Sequence, residues 1–242
     1  MTRKRADVLL VERGFFTSRA RAQEAIAAGL VSVNGTPLRK ASEVVPDNAE
    51  IAAEQPHPYV SRGGVKLAAA LDRFGLDPQG CVCLDVGSST GGFTEVLLLR
   101  GAAHVYAVDV GHGQLHPKVA GERRVTSLEG TDARSLSPAL VPQPVDLLVS
   151  DVSFISLKLV LPPAIAFLKP HAALAVLVKP QFEAGRDHVK KGIVRDEAVH
   201  RAVCEDMTAF VASLGFTPLG LAPSPIEGGD GNREFLLGAR RG

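Results

Sequence analysis

Between an apolar strand pattern and a helical one, the chain carries the turn Leu84-Asp85-Val86-Gly87-Ser88-Ser89-Thr90-Gly91-Gly92-Phe93-Thr94. A glycine-rich crossing from strand to helix lets a ligand approach the backbone closely, because few Cβ atoms stand in the way. Gly87 would avoid a clash as the chain leaves the strand, and Gly91 and Gly92 would let the helix start lie close beneath the ligand. Asp109 ends the next apolar strand, about 20 residues beyond the turn, where an acid in a dinucleotide-type fold bonds ribose hydroxyls. A nucleoside-bearing cofactor is expected. The G-x-G-x-x-G fingerprint of NAD binders is absent, since position 89 is serine. Asp85 inside the motif suits the electropositive methionine moiety of S-adenosylmethionine better than a pyrophosphate. Ser88, Ser89, Thr90 and Phe93 complete the expected cofactor segment. Asp132, after the third strand, is placed either to accept a hydrogen bond from an adenine amino group or to cap the next helix.

From Ser61 onward helical and strand patterns alternate. Helices are expected over 66–74, 93–100, 157–168 and 197–214, and strands over 81–86, 105–109, 145–150 and 172–178. Such alternation predicts a parallel sheet with helical crossovers. The patterns at 216–222 and 233–239 have no helix between them, so they are expected to pair antiparallel. The expected fold class is α/β, a Rossmann-like domain with a seven-stranded, mostly parallel sheet over 61–242, of the class I methyltransferase type.

The chain before that domain reads differently. Residues 6–13 are apolar on one face and Gly14 stops them, while Thr17 or Ser18 can cap a second helix running to 28. Val31-Ser32-Val33 alternates like a strand, Asn34-Gly35 supplies a turn with positive φ, and 36–38 returns. This predicts a small α+β domain over 1–57. The prolines of Gln55-Pro56-His57-Pro58-Tyr59 break any regular element, which places a linker at 58–60. Residues 1–40 carry a surplus of five positive charges, although the whole chain has a net charge of only +1. A polyanion is the matching partner.

Hydrophobic residues make up 45% of the 242 and charged ones 22%, enough apolar material for a folded core. No apolar run approaches the ~20 residues that cross a bilayer, and the basic N-terminus lacks an apolar signal core, so a cytoplasmic protein without a membrane partner is expected. Cys81, Cys83 and Cys204 lack paired zinc spacing and are expected to be reduced. His112 and His116 stand four apart, but no nearby Cys or Glu completes a set, so no metal is expected.

The strings Ala6-Asp7-Val8-Leu9-Leu10, Ser18-Arg19-Ala20-Arg21-Ala22 and Gly29-Leu30-Val31-Ser32-Val33-Asn34-Gly35, with Ile26 and Lys40, resemble an S4 RNA-binding domain. That resemblance implies that Arg5, Arg19, Arg21, Arg39 and Lys40 contact phosphates. Nearly all of 5–239 also resembles the hemolysin-A (TlyA-type) family of ribosomal RNA 2′-O-methyltransferases, whose catalytic half is of the FtsJ class. The strings that carry it are Tyr59-Val60-Ser61-Arg62-Gly63-Gly64-Val65-Lys66-Leu67, Asp151-Val152-Ser153-Phe154-Ile155-Ser156-Leu157, Lys179-Pro180-Gln181-Phe182-Glu183, Lys191-Gly192-Ile193-Val194-Arg195-Asp196 and Gly231-Asn232-Arg233-Glu234-Phe235. The resemblance implies S-adenosylmethionine as methyl donor and ribosomal RNA or ribosomal subunits as partner. The implied substrate is a cytidine in large-subunit RNA, with small-subunit RNA as a second possibility. It also implies a catalytic tetrad of Lys66, Asp151, Lys179 and Glu234. Two departures from the family pattern stand out: Gly192 is single where the family has a glycine pair, and Tyr59 occupies the aromatic linker position.

Asp151 and Lys179 each lie just past the end of an apolar strand, where open α/β sheets gather their ligands. A ribose hydroxyl is a poor nucleophile until its proton is taken, and a lysine takes it only when desolvation or a second cation favours its neutral form. Lys66 is the candidate for that second cation. Two other classes of function are weighed against this one: a membrane-active, hemolysin-like protein, and a non-catalytic ribosome assembly factor. The first lacks a spanning segment, and the second does not explain four retained tetrad positions.

Overall fold

The structure, a computed structural model, describes residues 2–228 and 231–242, with every side chain among them except that of Arg186. It divides into two compact units, Met1–Pro58 and Tyr59–Gly242.

In the first unit α1 (Ala6–Glu12) buries Ala6, Leu9 and Leu10 along one face. Ser18 starts α2 (Arg19–Ala27) by accepting the Arg21 N–H, and Ala22, Ala25 and Ile26 form its buried stripe at helical spacing. Five short strands complete the unit: β1 (Arg3–Arg5), β2 (Val31–Val33), β3 (Thr36–Pro37), β4 (Val44–Pro46) and β5 (Ile51–Ala53). β1 pairs antiparallel with β4, and β2 lies between β3 and β5. The turn between β2 and β3 has φ of +49° at Asn34 and +76° at Gly35, the left-handed pair that a tight hairpin demands. Phe16, Val31, Leu38 and Val45 join the helical stripes in one core. The sequence pattern does not reveal β1, β4 or β5, because Arg3–Arg5, Val44–Pro46 and Ile51–Ala53 lack the apolar–polar alternation that marks Val31-Ser32-Val33.

The second unit runs α3 (Gly63–Phe74), β6 (Val82–Val86), α4 (Gly92–Leu99), β7 (His104–Asp109), α5 (Pro117–Ala120) and β8 (Val125–Glu129). It continues with β9 (Val145–Ser150), α6 (Leu157–Ala164), β10 (Leu168–Val178), α7 (Pro180–Glu183), α8 (Glu197–Ser213), β11 (Thr217–Pro223) and β12 (Phe235–Arg240). The seven strands order as β11-β12-β10-β9-β6-β7-β8. β10, β9, β6, β7 and β8 are parallel, whereas β12 is antiparallel to both β10 and β11. The expected α/β class, the seven-stranded sheet and its antiparallel end are thus present. α6 stops earlier than its apolar pattern suggests. Pro162 and Pro163 remove two helical N–H donors, and the chain passes into a 3-10 turn at Ile165–Phe167.

Both faces of the sheet are covered, so successive strand residues feed two separate cores. Leu84, Val86, Leu148, Leu174 and Val176 pack with Leu161 and Met207 on one side. Cys83, Leu147, Val149, Ala175 and Leu177 pack with Leu67, Leu71 and Phe93 on the other, the side of α3 and α4. Among the described residues no helix is long and apolar enough to cross a membrane.

Candidate active site

A cavity of about 380 Å³ opens at the carboxyl ends of β6, β7 and β9. Gly87, Ser89, Asp109, Asp132 and Asp151 line it, together with Val86, Val108, Val110, Ala133, Val152 and Ile155. Gly87 has φ of +85°, and a Cβ there would stand 2.9 Å from the Asp151 carbonyl oxygen, so the close approach needs glycine. Asp109 accepts N–H bonds from Ser89 and Gly111, both at 2.8 Å, which fixes its carboxylate at the mouth of the turn. Each carboxylate oxygen has further acceptor capacity for a ribose hydroxyl. Asp132 realises its capping alternative: it accepts the Arg134 N–H at 2.8 Å and pairs with the Arg134 guanidinium at 2.6 Å while still bordering the cavity. Among the lining residues there is no Lys or Arg to meet a phosphate.

The rest of the expected cofactor segment lies behind this wall rather than in it. Phe93 is buried in the core beside Leu67, and Thr90 offers its carbonyl to the His116 N–H. Ser88 is buried. Gly91 packs under Leu115 and Val119, and a Cβ at Gly92 would overlap Ser61 Oγ. Gly64 in turn lies under the Tyr59 ring, where a Cβ would also overlap. The glycines of the turn and of Ser61-Arg62-Gly63-Gly64 therefore serve each other's packing, and the sequence signal for this was the pairing of two Gly-Gly steps. Val60 extends the contact by donating its N–H to Glu95 Oε2, while Lys118 meets Glu95 Oε1. His116 caps α5 through Nδ1.

Asp85 has the parity of Cys83 in β6, which turns it toward α4, where Thr94 Oγ1 donates to its Oδ2 at 2.6 Å. It is fully buried, and its Oδ1 has no partner. Burial pushes its carboxyl up to about 7, with the Asp151 and Asp109 charges adding to the rise against the Thr94 bonds. From the ordinary value of 3.8 upward, the unfolded chain releases this proton while the folded chain keeps it, so folding stability falls until the folded group ionises near pH 7. Asp85→Asn abolishes that dependence. In urea unfolding, the stability of the asparagine variant relative to the parent is expected to grow between pH 4 and pH 8 by an amount on the order of a few kcal/mol. Parallel pH profiles would overturn the assignment.

The tetrad forms two ion pairs. Lys179 Nζ lies 2.6 Å from Asp151 Oδ1 and donates to Ser153 Oγ at 2.8 Å. Lys66 Nζ lies 2.5 Å from Glu234 Oε2. Lys66, Lys179 and Glu234 are all buried. Register explains the convergence: Val178 of β10 faces Phe235 of β12, so the next residues outward, Lys179 and Glu234, face each other too. β9 is the other neighbour of β10 and ends immediately before Asp151. α3 packs on β10 and β12 and delivers Lys66 from its first turn.

Phe154 is a site feature that the residue patterns did not single out. It is 92% exposed at the cavity rim, has φ of +64°, and rests on Phe182 with ring centroids 5.2 Å apart. A phenylalanine on a left-handed backbone is strained, and this one holds its apolar ring at the cavity rim.

In the first unit, the buried Asp7 accepts from Arg5 Nε and Nη2, from Arg19 Nε and Nη2, and from Gln23 Nε2. The Arg5 bonds, joined by those from Arg19 and Gln23, hold its carboxyl well below the usual range. Arg5 and Arg19 are thus aligned by a carboxylate and still keep about half their side-chain surface exposed. Arg21 donates to Gln55 and to the His57 carbonyl. Arg39 and Lys40 are exposed, with their backbone N–H groups held by Glu43.

A nucleoside-sized cavity at the carboxyl edge of this sheet order, with β12 returning antiparallel, defines a class I methyltransferase domain. The FtsJ-like methyltransferase family matches residues 59–241, and the S4 domain matches residues 4–51. The chain belongs to the FtsJ-like methyltransferase family, with an S4 domain at its N-terminal end. It is 43% identical to the 16S/23S rRNA (cytidine-2′-O)-methyltransferase TlyA of Mycobacterium tuberculosis over 98% of this chain and 90% of that one. It is 38% identical to Hemolysin A of Brachyspira hyodysenteriae, over 96% of this chain and 98% of the other. A solved structure carrying a hemolysin name, from Streptococcus thermophilus, superposes with a TM-score of 0.79 at 42% identity, covering all of this chain and 89% of that one.

Proposed function

We propose that the chain transfers a methyl group from S-adenosylmethionine to a ribose 2′-hydroxyl of ribosomal RNA, at a cytidine of the large-subunit RNA, with the small-subunit RNA as the second candidate. The observation that carries this reading is the double role of Asp151, which belongs to the cavity wall and also holds Lys179. A donor in the cavity and an acceptor at the ion pairs would meet at that residue.

The cavity fits the donor. Valines and isoleucine offer an apolar slot for adenine, Asp109 is free to take ribose hydroxyls, and the absence of a basic lining residue disfavours a pyrophosphate. When bound, S-adenosylmethionine supplies an electrophilic methyl group. Lys179, buried between Asp151 and Ser153, takes or directs the proton of the 2′-hydroxyl, and Asp151 orients it. Lys66 and Glu234 place the ribose. Phe154 offers a stacking face for the base of the nucleotide, an interaction worth about 1–3 kcal/mol. Arg5, Arg19, Arg21, Arg39 and Lys40 meet phosphates of the same RNA, with Asp7 setting the angle of the first two. A ribosomal substrate makes the cytoplasm the place of action.

The test is methyl transfer from labelled S-adenosylmethionine to purified ribosomal subunits and to deproteinised ribosomal RNA, with 2′-O-methyl positions mapped afterward. A new 2′-O-methylcytidine is the expected product. Labelling confined to bases, or none on any of these RNAs, would overturn the reading.

A further inference from the structure

A second basic element lies outside the S4 unit. Residues 186–195 carry Arg186, Lys190, Lys191 and Arg195 against a single acid, Asp187. Lys190 and Ile193 bridge each other through both backbone bonds, at 3.0 and 3.1 Å, making a tight hairpin with Lys191 and Gly192 at its tip. Lys191 has φ of +51° and Gly192 of +78°, so a lysine occupies a left-handed position that asparagine or glycine would fill at lower cost. Lys190, Lys191 and Arg195 are exposed, and among the described residues neither Lys190 nor Lys191 has a hydrogen-bond or ion-pair partner for its side chain.

The hairpin is fastened to the segment that carries Glu234 into β12. Asn232, buried and two residues before Glu234, donates its amide to the Gly192 carbonyl at 2.9 Å and accepts the Val194 N–H at 3.3 Å. His200 Nε2 lies 2.9 Å from the Val194 carbonyl. Since the segment follows β10 and α7, and Asn232 precedes β12, both belong to the sheet edge that carries Lys179 and Glu234.

We infer that the Lys190–Lys191 hairpin grips RNA phosphates flanking the ribose to be methylated, so that the chain meets its substrate through two separate basic elements. This rests on the proposed RNA 2′-O-methyltransferase activity. Asn232 sets the register between the phosphate grip and Glu234. Strand position, rather than base identity, is what such contacts fix.

The test uses the full chain with Lys190→Gln and Lys191→Asn together, since asparagine suits the positive φ and the fold is retained. Binding to deproteinised ribosomal RNA and to ribosomal subunits is measured across a salt series, with S-adenosylmethionine affinity as the control for an intact catalytic unit. Affinity for both RNA samples should fall at least about fivefold, and the slope of log K against log salt should flatten by roughly 0.7–0.9 for each of the two lost phosphate contacts. Unchanged affinity and slope would overturn the inference. So would a loss on subunits alone, which would assign the hairpin to a ribosomal protein. A parent chain that binds RNA and loses the expected slope on substitution, but transfers no methyl group, would refute the enzymatic reading and leave the phosphate grip standing.

Discussion

Replacement of Lys179 by alanine is expected to lower kcat for methyl transfer by about 10²–10⁴, the usual contribution of a positioned acid–base group. Cofactor and RNA affinity should change little. The reason lies in where the ammonium sits: it lies 2.6 Å from Asp151 Oδ1 as an ion pair and donates to Ser153 Oγ, so its position is set before a substrate arrives. Two roles are compatible with that geometry. In one, the lysine gives up a proton to Asp151 or solvent and then takes the hydroxyl proton; in the other, its charge orients the hydroxyl while water removes the proton. Lys179→Arg separates them, because guanidinium keeps its charge and does not act as a base at working pH. An inactive arginine variant with parental binding constants supports proton abstraction. Turnover near the parental rate would exclude it and leave the electrostatic role.

Much of that site could be traced in the strand pattern, for a reason that particular residues make clear. Leu147 and Val149 share a face with Asp151, Ala175 and Leu177 with Lys179, and Leu236 with Glu234. A period of two therefore sends all three polar groups toward α3, which carries Lys66 beside the buried Leu67. What strand periodicity does not encode is the partner of a polar group once the chain leaves the sheet. Asp132 could serve adenine or a cap, and the cap depends on the position of Arg134 while the side chain still borders the cavity. Arg5 and Arg19 read alike as surface cations, yet they converge on Asp7 because α1 and α2 pack together. Gly92 suggests room for a ligand, but its neighbour is Ser61, some thirty positions earlier in the chain. Phe154 reads as one more apolar residue, and its exposure depends on a positive φ that no propensity for phenylalanine predicts. The fold class follows from repeated local signals, whereas each of these contacts depends on a single long-range meeting.

The Lys66–Glu234 pair is expected to behave in the opposite sense from a surface salt bridge. Both side chains are nearly excluded from water, with 9% and 3% of their surface exposed, and one sits on α3 while the other stands immediately before β12. Removing either partner strands a buried charge, so Lys66→Met and Glu234→Leu should each destabilise the catalytic unit by about 3–5 kcal/mol. For a domain of this size that corresponds to a Tm lower by roughly 6–20 °C. Removing both partners at once takes away the two desolvation penalties along with their attraction. The double variant should therefore recover most of the lost stability, and a buried pair replaced by apolar groups of similar volume can even gain about 1–4 kcal/mol. Urea unfolding of the four proteins gives the coupling energy directly. Activity is expected to part company with stability: the double variant should fold and bind S-adenosylmethionine but transfer no methyl group, because the ribose has lost both groups that place it. Additive destabilisation in the double variant would mean that the two residues are not an ion pair in solution. Restored turnover would mean that they hold the fold at this edge of the sheet and nothing more, and the placing of the ribose would then fall to Lys179 and Asp151 alone.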